Sequence, residues 1–188
     1  MAEAGEIRTD ELDEEAEGRR RLALGQIRQY PDPVLRMEAR EVESFDDDLR
    51  RLAERMTNLM RDANGVGLAA TQVGIIRRLF VFQPDAESEP VAVANPVVAE
   101  RSEETVVDDE GCLSLVGVQM PVERAVSLRL EGRDLEGGEL SLELTEHPAR
   151  VVQHELDHLD GVLILDRTTD EARKAALAVL RPKAVLTP

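Results

Sequence analysis

The stretch Thr145-Glu-His-Pro-Ala-Arg-Val-Val-Gln-His-Glu-Leu-Asp-His-Leu-Asp-Gly161 is the most informative part of this 188-residue chain. Thr145 is a candidate N-cap, and Pro148 is tolerated in the first turn of a helix. Gly161 is a typical C-terminal stop. The stretch therefore predicts a helix over about residues 147–160.

The same helix carries the pattern H-E-x-x-H. His154 and His158 are four residues apart, so both imidazoles lie on one face of the helix and can reach one metal ion. Glu155, next to the first histidine, can address a water molecule on that ion. The pattern predicts a metal-dependent hydrolase without saying which one. The alternative is an amphipathic helix that carries two histidines by coincidence.

The helix alone leaves the third ligand open. In the longer metzincin pattern a third histidine follows the glycine, but that position is Ile164 here, and an apolar side chain cannot bind metal. In a thermolysin-like arrangement Glu171 or Asp170 would serve, yet helix capping and the helix dipole already explain both. Cys112, the single thiol, would complete a Cys-His-His set with an open position, which is typical of catalytic sites. Its alternative is a small buried side chain.

The composition restricts the class of protein. The chain has 39 acidic and 23 basic side chains and a net charge of −16. Phosphate binding requires clustered basic residues, so we expect no direct DNA binding. A single cysteine excludes a disulfide-stabilised secreted scaffold. No apolar run approaches the length that crosses a bilayer, and the N-terminus lacks a signal peptide. We therefore expect a cytoplasmic protein without membrane association.

The distribution of charge divides the chain into three segments. Residues 1–21 are rich in acidic side chains and cannot bury enough apolar area to offset chain entropy, so they predict a disordered N-terminal tail. Residues 22–182 are expected to form one catalytic domain. Residues 183–188 are expected to form a C-terminal tail.

Hydrophobic periodicity predicts an α+β fold. A helix is expected over about 46–63, opened by a capping box that begins at Ser44, and another over about 169–181, opened by a capping box that begins at Thr168. Short β-prone runs lie at 77–82, 91–98, 105–107, 118–121, 124–131 and 140–144, with a hairpin turn at 134–138. Because helices and strands do not alternate, we expect a single compact domain with antiparallel or mixed sheets around the central H-E-x-x-H helix, plus a C-terminal helix.

The segment Gly65-Val-Gly-Leu-Ala-Ala-Thr-Gln72-Val-Gly74 is small and apolar. It matches neither a dinucleotide fingerprint nor a phosphate-binding loop. Gly65 and Gly67 would let a ligand backbone approach closely, and Gln72 offers an amide donor. The alternative is a helix C-cap followed by a tight strand entry.

Three ordered motifs together resemble those of peptide deformylases: Gly65-Val-Gly-Leu-Ala-Ala-Thr-Gln72, Glu110-Gly-Cys-Leu-Ser114 and Gln153-His-Glu-Leu-Asp-His158. Tyr30-Pro-Asp-Pro33 and Asn95-Pro96 also lie where such enzymes commonly have them. The resemblance spans about residues 24–167. It implies an enzyme that removes the N-formyl group from the formyl-methionine of newly synthesised polypeptides and releases formate.

The resemblance also implies a metal site. Cys112, His154 and His158 would bind one divalent ion, usually Fe²⁺, although Zn²⁺, Ni²⁺ or Co²⁺ suit the same donors. A water molecule on the metal would be the nucleophile, with Glu155 as the acid/base residue.

Further roles are implied for residues around the metal. Gln72 and the backbone N–H of Leu113 would polarise the formyl oxygen. The residues expected to pair with the backbone of an N-formylmethionyl nascent peptide, like an added strand, are Val66, Gly67 and Gly111. Glu110 and Arg124 would form an ion pair that fixes the loop bearing the cysteine.

The chain departs from the usual family pattern in two places. Ser114-Leu-Val-Gly117 lacks the proline that the family often has two residues after the serine, and Glu146-His-Pro-Ala-Arg150 replaces a more apolar run. Both changes concern the mouth of the cleft, and His147 is expected at the surface. The remaining alternatives are a metallopeptidase that uses the same helix, and a catalytically silent structural-metal or ribosome-associated module.

Two expectations concern association with other molecules. Arg173, Lys174, Arg181 and Lys183 lie on or just after the C-terminal helix and could bring it into transient contact with ribosomal phosphates. No heptad or long apolar stripe requires a dimer, so we expect a monomer.

Overall fold

The computed structural model describes residues 3–85 and 87–181, and from residue 14 onward it also describes their side chains. The helices are α1 (Glu3–Leu24), α2 (Asp47–Asp62), α3 (Glu146–Leu159), α4 (Ile164–Arg167) and α5 (Asp170–Leu180), with short 3-10 helices at Pro33–Arg36 and Ala70–Val73. The strands are β1 (Gly67–Ala69), β2 (Leu79–Phe82), β3 (Val91–Arg101), β4 (Thr105–Gly111), β5 (Gln119–Ala125), β6 (Ser127–Arg133) and β7 (Glu139–Thr145).

The strands form two antiparallel sheets. One has the order β1-β2-β3-β6-β7, and the other consists of β4 and β5. All strand neighbours are antiparallel, which confirms the expected α+β class. The run predicted at 124–131 is divided between β5 and β6. The hairpin turn at 134–138 is present, with Gly137 at a φ of 83°, a conformation that favours glycine.

Strand β2 lies between two helices and is buried on both faces. Leu79 and Val81 belong to the apolar cluster that includes Met56 and Met60 of α2. Phe80 and Phe82 belong to a second cluster that includes Val152 of α3. Because side chains alternate along a strand, this fully apolar strand joins the two helices to one sheet and places α3 against the face opposite α2.

The three helices predicted from periodicity are present. Their observed bounds differ from the predicted bounds by one residue at each end. Thr145 is the N-cap of α3, as predicted. The N-caps of α2 and α5 differ from the predicted ones, because the Asp46 carboxylate accepts from the N–H of Leu49 and the Thr169 hydroxyl accepts from the N–H of Ala172. Ser44 and Thr168 lie too far upstream for these bonds. The predicted stop at Gly161 is present, with a φ of 70°.

Within the segment predicted as a disordered tail (residues 1–21), the described residues from Glu3 onward lie in helix α1. The segment consists largely of Ala, Glu, Arg and Leu, which are strong helix formers. Its C-terminal end is anchored because Ala23 is buried in the core. Arg19 and Glu15 add an exposed ion pair across one turn. The acidic composition argued against burial, but a solvated helix with one anchored end needs little burial.

A third apolar cluster supports the small sheet. Leu115, Met120 and Val122 pack with Leu163 and Leu165 from the region of α4. This packing holds β5 against the region of α4. The predicted C-terminal tail at 183–188 lies outside the described residues. None of the described helices is long and apolar enough to cross a membrane.

Candidate metal centre and active site

Helix α3 and the end of β4 bring the predicted ligands together. The Cys112 Sγ lies 3.2 Å from the His158 Nε2. Ligand atoms of Cys112, His154 and His158 all lie within 4.8 Å of one another. One thiolate and two imidazoles suit a divalent transition metal and leave a fourth position open. The donor set therefore fits a divalent metal ion.

Hydrogen bonds hold both ligand-bearing segments. The backbone N–H of Ser114 points to the Cys112 Sγ at 3.4 Å, and the N–H of Leu115 donates to the Cys112 carbonyl at 3.0 Å. The Thr71 hydroxyl donates to the His158 carbonyl at 3.1 Å. The cysteine lies in a turn, and the second histidine is tied to the segment that precedes β2.

Glu110 connects the metal cluster to buried arginines. Its carboxylate lies 3.0 Å from the His154 Nδ1, accepts two hydrogen bonds from Arg124 at 2.9 and 3.0 Å, and accepts one from Arg150 at 2.8 Å. The predicted Glu110–Arg124 contact is therefore present. Burial alone would raise the pKa of Glu110, but the hydrogen bonds from Arg124 and His154 lower it to about 2. A charged Glu110 fixes the His154 ring and leaves its Nε2 free to bind.

Two other residues of this network were missed from the sequence. Asp157 pairs with Arg124 at 2.6 Å and with Arg167 at 2.7 Å. Arg150 also donates to the carbonyls of Val122 and Val106. The signal for Arg150 was its position four residues before His154, which places both on one face of α3. Asp157 stood inside the H-E-x-x-H motif itself.

Glu155 is buried beside the cluster. Its exposure is 3%, and its Oε2 has no hydrogen-bond partner among the described residues. Burial raises the pKa of Glu155 to about 7, and the charge of Glu110 acts in the same direction. A Cβ at Gly67 would lie 2.3 Å from the Glu155 Oε1. Gly67 therefore gives the carboxylate its space, a role beyond the backbone pairing that was predicted for it.

Gln72 and Leu113 place amide donors near the cysteine. The Gln72 Oε1 accepts from the N–H of Ala69 at 2.9 Å, which orients the side chain. Its Nε2 lies 3.1 Å from the Ser114 Oγ and 3.7 Å from the Cys112 Sγ. The N–H of Leu113 has no acceptor in the part of the chain that the structure describes. Both donors can address a ligand beside the cysteine.

The cluster opens into a cleft of about 710 Å³. Its walls include Val66, Gly67, Gly111, Gln72, Leu113, Cys112, His154 and Glu155, which were all predicted to act at the site. His147 lies on the same cleft, is exposed, and stands apart from the metal cluster. The cleft also includes Arg20 and Leu24 of α1, which the sequence did not indicate.

Comparison with known proteins shows what the chain resembles. The polypeptide deformylase family matches residues 24–174. A peptide deformylase of Thermotoga neapolitana is 47% identical over 141 residues, or 75% of this chain and 85% of that protein. Peptide deformylase 1 of Corynebacterium glutamicum is 42% identical over 165 residues, or 87% of this chain and 98% of that protein. The chain spans about half the length (54%) of the chloroplastic/mitochondrial peptide deformylase 1B of Arabidopsis thaliana, at 40% identity.

Solved structures agree. The crystal structure of Arabidopsis thaliana peptide deformylase 1B with an inhibitor superimposes with a TM-score of 0.79 at 39% identity and covers 82% of this chain and 87% of that one. Peptide deformylase of Plasmodium falciparum gives a TM-score of 0.78 at 35% identity, with 82% and 92% covered. The chain therefore belongs to the polypeptide deformylase family and is a hydrolase that removes the N-formyl group from new polypeptides.

Proposed function

We propose that Cys112, His154 and His158 hold one divalent ion and that Glu155, Gln72 and Leu113 carry out the deformylation beside it. One observation carries this assignment. Three metal-ligating atoms lie within 4.8 Å of one another, next to a buried carboxylate oxygen that has no partner among the described residues, on the wall of a cleft.

The donor set suits Fe²⁺ as the resident ion, and Zn²⁺, Ni²⁺ or Co²⁺ could replace it. A divalent ion bound there supplies Lewis acidity, which brings the pKa of a water molecule close to neutrality. Glu110 supports the ligand His154 through the hydrogen bond to its Nδ1. Arg124 and Arg150 keep Glu110 charged.

Glu155 moves the proton. Its carboxylate accepts a proton from the attacking water as the water oxygen bonds to the formyl carbon. It then gives that proton to the leaving amine nitrogen as the C–N bond breaks, and formate and a free N-terminus result. The carboxylate is held for this role by burial and by the close approach of Gly67.

Gln72 and Leu113 stabilise the formyl oxygen, where negative charge develops. The side-chain amide of Gln72 is oriented by the N–H of Ala69, and the N–H of Leu113 has no acceptor within the described residues. Donors that are fixed in advance are most effective in the transition state. Loss of one typically costs about 3 kcal/mol of activation free energy.

Val66, Gly67 and Gly111 bind the backbone of the substrate. Gly67 begins β1, an edge strand of the larger sheet, and Gly111 ends β4, which belongs to the two-stranded sheet. An extended formylmethionyl peptide in the cleft could therefore add to strand edges on either side, as a peptide does in β-augmentation.

We further propose a monomer that works in the cytoplasm on nascent chains, with the catalytic domain at residues 22–182. Lys174 and Arg181 are exposed at α5 and could make the transient ribosome contact. Arg173 contributes less to such a contact, because it donates to the Leu165 carbonyl and pairs with Asp170. Lys183 lies outside the described residues.

The proposed roles are tested with formyl-Met-Ala-Ser and unformylated Met-Ala-Ser. We expect formate from the first peptide and no cleavage of peptide bonds in either. Cleavage of Met-Ala-Ser would identify a metallopeptidase instead. The matched variant Glu155→Gln should bind metal as the wild type does but release formate far more slowly.

A further inference from the structure

Helix α1 supplies part of the wall of the substrate cleft. Arg20 and Leu24 both line the cleft, and their spacing of four residues places them on one face of the helix. Leu24 is half-buried and packs against the core, so it fixes this face relative to the site. The match to the deformylase family begins at residue 24. Arg20 therefore belongs to a part of the chain that the family match does not include.

The Arg20 guanidinium is available to a ligand. Arg20 is exposed and makes no hydrogen bond or ion pair with any side chain that the structure describes. The adjacent Arg19 pairs with Glu15. Arg150, the other arginine of the cleft, is buried and engaged by Glu110. Among the described residues of the cleft wall, Arg20 is thus the arginine that has no side-chain partner.

Arg20 lines the substrate cleft and is not one of the residues that form the metal cluster. It lines the same cleft as Asn64, Gly65 and Val66, and Val66 is one of the residues proposed to pair with the peptide backbone. A peptide that lies along Val66 extends about 3.3 Å per residue. A peptide bound in this cleft can therefore bring a residue after the formylmethionine to Arg20, and its successive side chains lie on opposite faces.

We propose that Arg20 is a specificity-determining residue that favours substrates with a carboxylate side chain at the second or third position after the formyl group. This inference rests on the proposed function, because it assumes a formyl peptide in the cleft. A guanidinium without an intramolecular partner gains an ion pair with such a carboxylate. The pair is solvent-exposed, so it changes kcat/KM by about two- to fivefold.

The test uses tripeptide amides, because an amide removes the terminal carboxylate from the comparison. Formyl-Met-Glu-Ala-amide and formyl-Met-Ala-Glu-amide are compared with the matching Gln peptides. The measured quantity is the ratio of kcat/KM for Glu over Gln at each position, in the wild type, in Arg20→Gln and in Arg20→Glu. Arg21→Gln is the control, because Arg21 is an exposed neighbour on the same helix and does not line the cleft.

We expect the Glu/Gln ratio at one of the two positions to fall by about two- to fivefold in Arg20→Gln, to fall further in Arg20→Glu, and to stay at the wild-type value in Arg21→Gln. The difference in this ratio between the wild type and the Arg20 variants should disappear at about 1 M salt, where exposed charges are screened. Equal ratios in the wild type and both Arg20 variants would overturn the proposal. Absence of formate from all four peptides with the wild type would instead overturn the proposed function.

Discussion

Glu155 is the residue on which the proposed proton transfer depends. Glu155→Gln keeps the size of the side chain and removes its capacity to accept and return a proton. We expect retained metal and a fall in kcat of about 10²- to 10⁴-fold, the usual contribution of a positioned acid/base group. Metal content and kcat should be measured on the same preparation. A variant with near-normal turnover would remove Glu155 from this role.

A substitution of Gly67 tests whether catalysis depends on the position of the Glu155 carboxylate. A Cβ at this position would lie 2.3 Å from the Glu155 Oε1, a separation that no real contact tolerates, so Gly67→Ala must displace the carboxylate. We expect kcat to fall while metal content stays normal. Gly18→Ala is the control, because no atom lies within 4 Å of its added methyl group. Normal kcat in Gly67→Ala would show that the carboxylate can move without consequence.

A substitution of Arg124 tests whether its ion pair with Glu110 stabilises the metal site. Both Arg124 and Glu110 are about 5% exposed, and removal of one partner of a buried pair typically costs about 3–5 kcal/mol. Arg124→Ala should therefore lower the melting temperature and weaken metal retention. Arg129→Ala, which removes a more exposed pair with Glu100, should cost less than about 1 kcal/mol. Unchanged melting temperature and kinetics in Arg124→Ala would leave the pair without a supporting role.

The residues of the site were only partly accessible to sequence reasoning. His154 and His158 could be identified because helical spacing is a local property. Glu110 and Arg124 were paired through the family resemblance. Arg150 and Asp157 escaped notice, since their contacts depend on how β4 and β5 pack against α3, and that packing has no local signature.

At the scale of elements, those with a local sequence pattern were predicted, and those that depend on distant contacts were not. Helices α2, α3 and α5 were predicted to within one residue at each end, because each has an amphipathic period and a stop. The short strand β1 was missed, since three residues carry no period of their own. Helix α1 was mistaken for disorder because charge outweighed helix propensity in the argument.

The N-terminal part of α1 provides a prediction at this scale. Glu14, Glu15 and Glu17 are exposed, and a Cβ at Gly18 would meet no atom within 4 Å. Deletion of residues 1–18 should therefore leave kcat/KM on formyl-Met-Ala-Ser within about twofold of the full chain, because a solvated terminus contributes little to the site. A several-fold loss on this small substrate would show that the deleted turns shape the cleft.

At the scale of the whole molecule, the site lies where two sheets approach one helix. The larger sheet places Gly67 of β1 against Glu155. In the smaller sheet, Cys112 directly follows β4. Helix α3 contributes both histidines. The division of the strands into these two sheets could not be read from the sequence, because it depends on contacts between distant segments. It explains how motifs about 40 residues apart along the chain form one centre.

The most direct test of this centre is a joint measurement of iron content and formate release from formyl-Met-Ala-Ser, on protein purified anaerobically with Fe²⁺. The wild type should hold one iron per chain and release formate. Cys112→Ala should lose both, because two imidazoles alone leave the ion under-coordinated, while circular dichroism confirms that the variant is folded. A folded Cys112→Ala protein with full iron content and full turnover would contradict the assignment of the metal site.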